Sequence, residues 1–149
     1  MTRFEMLTRA ELRDQASELL DTLRELDFQE DFYLASSGSR GEMLLLRSDF
    51  FFVMLMKDDR GFLYAYAAVP GPMPGEMLPL EDLLRWMGQP VPERPRWNIE
   101  YPIVQAELDR VLSFARGLKN CFSRMKESLH PDNFGWVRRQ IEELSLIHI

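Results

Sequence analysis

The sequence holds one cysteine, Cys121, and two histidines, His130 and His148. A lone thiol excludes an internal disulfide and a thiolate metal cluster, and it fits a reducing compartment. His130 stands just before Pro131, where an imidazole caps or decorates a helix start; a Ser-His-acid or Cys-His device has no second clue. Lys and Arg number 18 against 24 acids, giving a net charge of −6 and a pI near 5.0. The charge that draws phosphates is therefore in deficit, which argues against nucleic-acid or anionic-membrane partners and favours a basic protein. No apolar run approaches a membrane span. MTRFEMLTRA, with Arg3, Glu5 and Arg9, lacks the apolar core of a signal peptide, so the chain reads as cytoplasmic. Glycine-rich phosphate loops, HExxH, EF-hand loops and Cys/His metal spacings are all missing, so neither a metal nor a cofactor is expected. The obvious carboxylate pairs fall on an exposed helix face and in the Asp58-Asp59 turn, without the burial that would raise a pKa for acid catalysis. The chain is read as a non-enzyme.

What is there centres on Gly41 to Val69, GEMLLLRSDFFFVMLMKDDRGFLYAYAAV. Apolar, β-prone runs separated by Arg47-Ser48-Asp49 and by Lys57-Asp58-Asp59-Arg60-Gly61 predict an antiparallel meander. A further strand around Phe32 to Ala35, followed by the turn Ser36 to Ser39, brings the expected sheet to about four strands. In the middle strand Phe50, Phe52, Met54 and Met56 share one face and Phe51, Val53 and Leu55 the other, so both faces are apolar. Either helices cover both, or one face meets another chain. With 149 residues, 46% of them hydrophobic, the chain is long enough for one core and too short for two comfortable ones, and a single α+β domain over 1–143 is expected.

About four helices complete it. Thr8 with Glu11 reads as a capping box and Leu7 with Leu12 as a hydrophobic staple, starting a helix at Arg9 that runs to about Leu26. Its apolar face is Leu12, Ala16, Leu19, Leu20, Leu23 and Leu26. Nearly opposite lie Glu11, Asp14, Glu18, Asp21 and Glu25, a one-sign stripe that Arg13 and Arg24 relieve only in part. That stripe is either a solvated helix face or a docking strip for a basic partner, extended by Asp27, Glu30 and Asp31. PGPMPGEMLP, Pro70 to Pro79, forbids regular structure by its proline and glycine content and presents Met73 and Met77 on a loop, as a contact site or a spacer. Leu80 to Met87 predicts a short helix closed by Gly88. Pro90, Pro92 and Pro95 keep the next stretch extended, with Trp97 as anchor. Tyr101-Pro102 opens the longest helix, with Val104, Leu108, Val111, Leu112, Ala115, Leu118 and Phe122 as its buried stripe and Cys121 at that stripe's edge. A last helix opens at Pro131-Asp132 and buries Phe134, Val137 and Ile141. Residues 144–149, LSLIHI, resemble the in-frame translation of the transposon-end adaptor of tagmentation libraries, CTG TCT CTT ATA CAC ATC, and are set apart as a non-native tail; the alternative is a genuine apolar end with Leu144 continuing the helix stripe.

An amphipathic leading helix, then SSGSRGEMLLLRSDFFFVMLMKDDRGFLYAYAAVP, PLEDLLRWMG and ELDRVLSFARGLKNCF, together resemble small uncharacterised bacterial α+β proteins, several groups of which are regarded as immunity proteins of polymorphic toxin systems. The resemblance implies a cytosolic binder that plugs a toxin's active site, and the acidic stripe suits a basic, nuclease-type toxin. It carries over no functional residue. A type III secretion chaperone is the alternative, small, acidic and using an apolar sheet face to bind an effector, although such a chaperone has two further strands where this chain has its proline-rich 88–102 region. A small-ligand binder or enzyme would need a polar cluster inside the fold.

Overall fold

A computed structural model describes residues 6–7, 9–35, 42–93 and 103–147. Thr8, the turn expected at Ser36 to Ser39, Trp97, Tyr101-Pro102 and His148 lie outside the described residues. Helices α1 (Leu12–Gln15) and α2 (Ser17–Glu25) lead into strands β1 (Gln29–Ala35), β2 (Glu42–Arg47), β3 (Phe52–Lys57), β4 (Leu63–Ala68) and β5 (Met77–Pro79). Helices α3 (Leu80–Trp86), α4 (Ile103–Ser128) and α5 (Pro131–Ile147) follow. This is an α+β arrangement on one antiparallel sheet of order β1-β2-β3-β4-β5. Among the described residues no helix is long and apolar enough to cross a membrane.

The meander forms because its turns are locally determined. Ser48 Oγ accepts from the amides of Phe50 and Phe51, closing the β2–β3 reversal. At the next turn Asp58 Oδ1 accepts from Arg60 N and Phe62 N, and Gly61 takes φ +85°, open to glycine at little cost. A Cβ there would also stand 2.5 Å from the Leu7 backbone. Val53 pairs with Leu46 and Ala67, and Leu55 with Leu44 and Ala65, so one face presents only small and branched apolar groups.

All five described helices contribute side chains to the core on that face: Leu12, Leu19, Leu23, Leu80, Leu83, Phe114, Leu118, Phe134 and Val137 join Leu44, Leu46, Val53, Leu55 and Leu78 in one cluster. Each fully buried leucine or phenylalanine contributes about 1.5–3 kcal/mol by leaving water. The opposite face is different. Leu45, Phe52 and Ala68 form a separate small cluster with Met54, and Met43, Met56, Tyr64 and Tyr66 are half-buried. At its margin Leu7 and Phe62 pack with Tyr64 and Val104.

Several expectations are corrected. The sheet has five strands, not about four: Met77–Pro79, expected as irregular loop, pairs with Tyr66–Ala68. Its brevity and edge position tolerate Pro79, which has no N–H to give, and Gly75 N donating to Val69 O tightens the reversal before it. The leading helix is broken. It restarts at Leu12, bends at Ala16 (φ −102°, ψ 16°) and resumes at Ser17. Glu11 holds the position before Leu12 but makes no side-chain cap; Glu42 of β2 caps instead, its Oε2 accepting from Leu12 N at 2.7 Å. Leu7 and Leu12 form no staple, since they enter different clusters. The short helix α3 ends as expected at Gly88, φ +83°, with Gly88 N donating to Arg85 O and Gln89 N to Leu84 O. Helix α5 buries Phe134, Val137 and Ile141, and its helical backbone continues to Ile147, with Leu144 exposed.

The rotation of α4 is also corrected. Leu108 is 45% exposed and Val104 and Leu112 are half-buried, whereas Glu107 and Arg110 are buried at 1% and 2%. Glu107 Oε2 accepts from Leu63 N. Arg110 Nη1 donates to Glu81 Oε2 at 3.0 Å and to Pro92 O at 2.8 Å, and its guanidinium lies over the Phe114 ring. These partners turn the polar pair inward and Leu108 out. Gly117 lets α4 close on Leu84, because a Cβ there would meet the Leu84 methyls at 2.8 Å.

Candidate interaction surface

Helices α1 and α2 bury Leu12, Gln15, Leu19, Leu20, Thr22 and Leu23. By helical periodicity Glu11, Asp14, Glu18, Asp21 and Glu25 fall on the other side, and all five are exposed. The bend at Ala16 divides them into Glu11, just before α1, and Asp14 on α1, and the remaining three on α2. Their compensation is uneven. Asp21 pairs with Arg24 at 3.3 Å and Glu25 with Lys119 of α4 at 3.2 Å, exposed pairs worth about 0–1 kcal/mol each. Arg13 and Arg24 are drawn to Glu30 at the start of β1. The two-pronged hydrogen bond from Arg13 is the main reason that the Glu30 carboxyl lies below its usual range, with the charges of Arg13 and Arg24 assisting against desolvation. Glu11, Asp14 and Glu18 have no cation among the described residues.

The acidic surface continues past the end of α2 into a groove of about 630 Å³ beside the start of β1. Asp27, Glu30, Asp31 and Asp49 line it together with Arg47, Lys126 and the exposed Phe50. Asp27 is the one described non-glycine residue with a positive φ, +66°, because the chain reverses there with Phe28 N donating to Leu23 O. Lys126 pairs with no acid among the described residues; its ammonium lies 4.4 Å from the Phe50 ring centre and 5.0 Å from that of Phe122.

Arg47 links this groove to the methionine loop. Its Nη2 donates to Asp31 Oδ2 at 3.0 Å and to Pro72 O at 2.9 Å, and its guanidinium covers Phe52. The loop bearing Met73, 74% exposed, is thereby tied to the acidic end of the sheet. Met77 is exposed but sits on β5, in the row Arg47, Phe52, Ala68, Met77 across the half-buried face. The two methionines expected on one loop thus divide between a loop tip and an edge strand.

Other polar groups serve the fold. Lys57, buried, donates from Nζ to Ala10 O, and Gln15 Nε2 donates to Gly61 O. His130 Nδ1 accepts from Asp132 N at the start of α5, the capping role its position suggested. Cys121 is buried. Among the described residues no group of three or more His, Cys, Asp or Glu could hold a metal ion. Two features escaped the sequence reading. Trp86 and Trp136 meet edge to face, 6.0 Å between ring centres, in a cleft of about 280 Å³ between α3, α4 and α5. Asp82 lines a groove between β5 and α5, where burial first, and the charge of Glu81 second, raise its carboxyl against the pull of Arg85. Neither had a signal beyond tertiary proximity. No family model, curated protein or solved structure matches this chain.

Proposed function

We propose that the chain is a non-enzymatic, cytoplasmic protein-binding module that captures a basic protein, in the manner of an immunity protein neutralising a cognate, nuclease-type toxin. The observation that supports this reading is the uncompensated acidic outer surface: Glu11, Asp14 and Glu18 stand exposed while Arg13 and Arg24 are engaged elsewhere. Clustered charge of one sign steers an oppositely charged partner and raises its rate of capture. The partner comes from sequencing the source DNA into the neighbouring reading frames, an adjacent toxin-bearing frame being the expected result. Association of that protein with the chain is then measured at low and moderate salt. Replacing Asp14, Glu18 and Asp21 with Ser slows association about tenfold at low salt and flattens its salt dependence. Unchanged kinetics would remove the acidic surface from the binding site.

A second reading, an effector-binding chaperone of the type III secretion kind, draws on the methionine- and tyrosine-bearing sheet face around Met54, Met56, Tyr64 and Tyr66, half-buried beside strand neighbours. A neighbouring secretion effector, bound with protection of those side chains, would favour it.

A further inference from the structure

The two edges of the sheet are finished differently. β5 has three residues and ends at Pro79, and α5 flanks it across the groove that holds Arg138 and Ile141. β1 has seven residues, the longest strand of the sheet, and lies at the other edge with its one ladder made to β2. Among the described residues nothing pairs with the outer edge of β1. A strand edge carries unpaired N–H and C=O groups that template another strand. Beside the Gln29 end of that edge lies the acidic groove, where Asp27 and Asp49 have no cation among the described residues and Phe50 is 47% exposed.

We propose that the outer edge of β1 receives an extended, lysine- or arginine-bearing segment of a partner protein as an added strand, its basic residues seated in the groove of Asp27, Asp49 and Phe50. The inference rests on the protein-binding reading above and names the mode of docking. Main-chain hydrogen bonds along β1 supply the affinity, and the groove selects the charge. The acids at that end disfavour an acidic strand on the edge. A second copy paired antiparallel would leave Asp27 and Asp49 of each chain without a cation, between chains that each carry a net charge of −6, whereas a basic segment supplies one. Lys126 already holds its ammonium over the Phe50 and Phe122 rings, which leaves the carboxylates of Asp27 and Asp49 to the partner's cations.

The test uses the full chain, isotopically labelled, and three short synthetic peptides: alternating valine and threonine with lysines at one end, the same peptide N-methylated on alternate amides, and its glutamate counterpart. The expected result is slowed amide exchange across Gln29–Ala35 with the lysine peptide, and binding about tenfold weaker after N-methylation or in the Asp27→Gly, Asp49→Ser variant. Asp27→Gly eases a left-handed backbone position, so that loss of binding there is not loss of fold. Equal binding of the N-methylated peptide, protection at β5 instead of β1, or no preference for lysine over glutamate would overturn the proposal. So would peptide-free self-association that protects β1, which would make the occupant a second copy. The readings fail separately. A basic partner that binds while β1 exchanges freely sinks only the added strand. Absence of any basic partner from the neighbouring frames, with kinetics insensitive to the α1–α2 acids, sinks the broader reading.

Discussion

Leu55 and Met54 are neighbours in sequence and point to opposite faces of the same strand. Leu55 is fully buried under the helices, in the cluster built by Leu44, Ala65 and Phe114. Met54 is half-buried between Leu45, Phe52 and Ala68, in a cluster made of strand residues alone. One strand can therefore carry two apolar faces for two purposes. The face packed by rigid, branched side chains secures the fold, and the face built from methionine and tyrosine keeps pliable side chains half-buried.

Truncation tests that contrast most strongly at Leu55. Leu55→Ala leaves a cavity closed in by helices and is expected to cost about 3–4 kcal/mol in denaturant unfolding. Gly61→Ala comes next, at about 2–3 kcal/mol, because it forces a side chain into a left-handed backbone and against Leu7, at the margin joining the two faces. Met54→Ala should cost about 1 kcal/mol, since its site is partly wet already and can relax. A loss at Met54 as large as that at Leu55 would break the comparison and make both faces equally structural.

The smallest effect belongs to a charge on the helix-covered side. The Asp82 carboxyl is raised in the folded state from its ordinary value near 3.8, burial being the main cause. The folded chain then binds more protons than the unfolded chain between that value and the raised one. Stability falls as pH rises through that window and stays lower above it. Asp82→Asn should give a modest gain at neutral pH that vanishes below the window, read as thermal midpoints across a pH series. A gain independent of pH would assign the effect to packing rather than charge.

The legible parts of the fold were those with short-range causes. Ser48, Asp58 and Gly61 close their reversals within a few residues, so the meander could be read from its turns, and Gly88 marked the end of α3 in the same way. Met77–Pro79 could not be read, because its local chemistry favours a loop and only pairing with Tyr66–Ala68 makes it a strand. Leu108 was misplaced for a similar reason. Apolar periodicity put it inside, but the burial of Glu107 and Arg110 against Leu63 N, Glu81 and Pro92 O set the rotation of α4. In the candidate site, the acidic periodicity of Glu11 to Glu25 was visible and its exposure follows. Which acids keep their charge uncompensated depended on Lys119, Arg13 and Arg24 reaching partners elsewhere in the chain.

Composition and local pattern alone determined an acidic α+β chain with an antiparallel meander, its tight turns and the apolar faces of its helices other than α4. These are effects of backbone preference and spacing over a few residues. The fifth strand, the face that took the helices, the rotation of α4 and the division of Met73 from Met77 were decided only in three dimensions. Each depends on contacts between residues far apart in the chain, whose energies no local window contains.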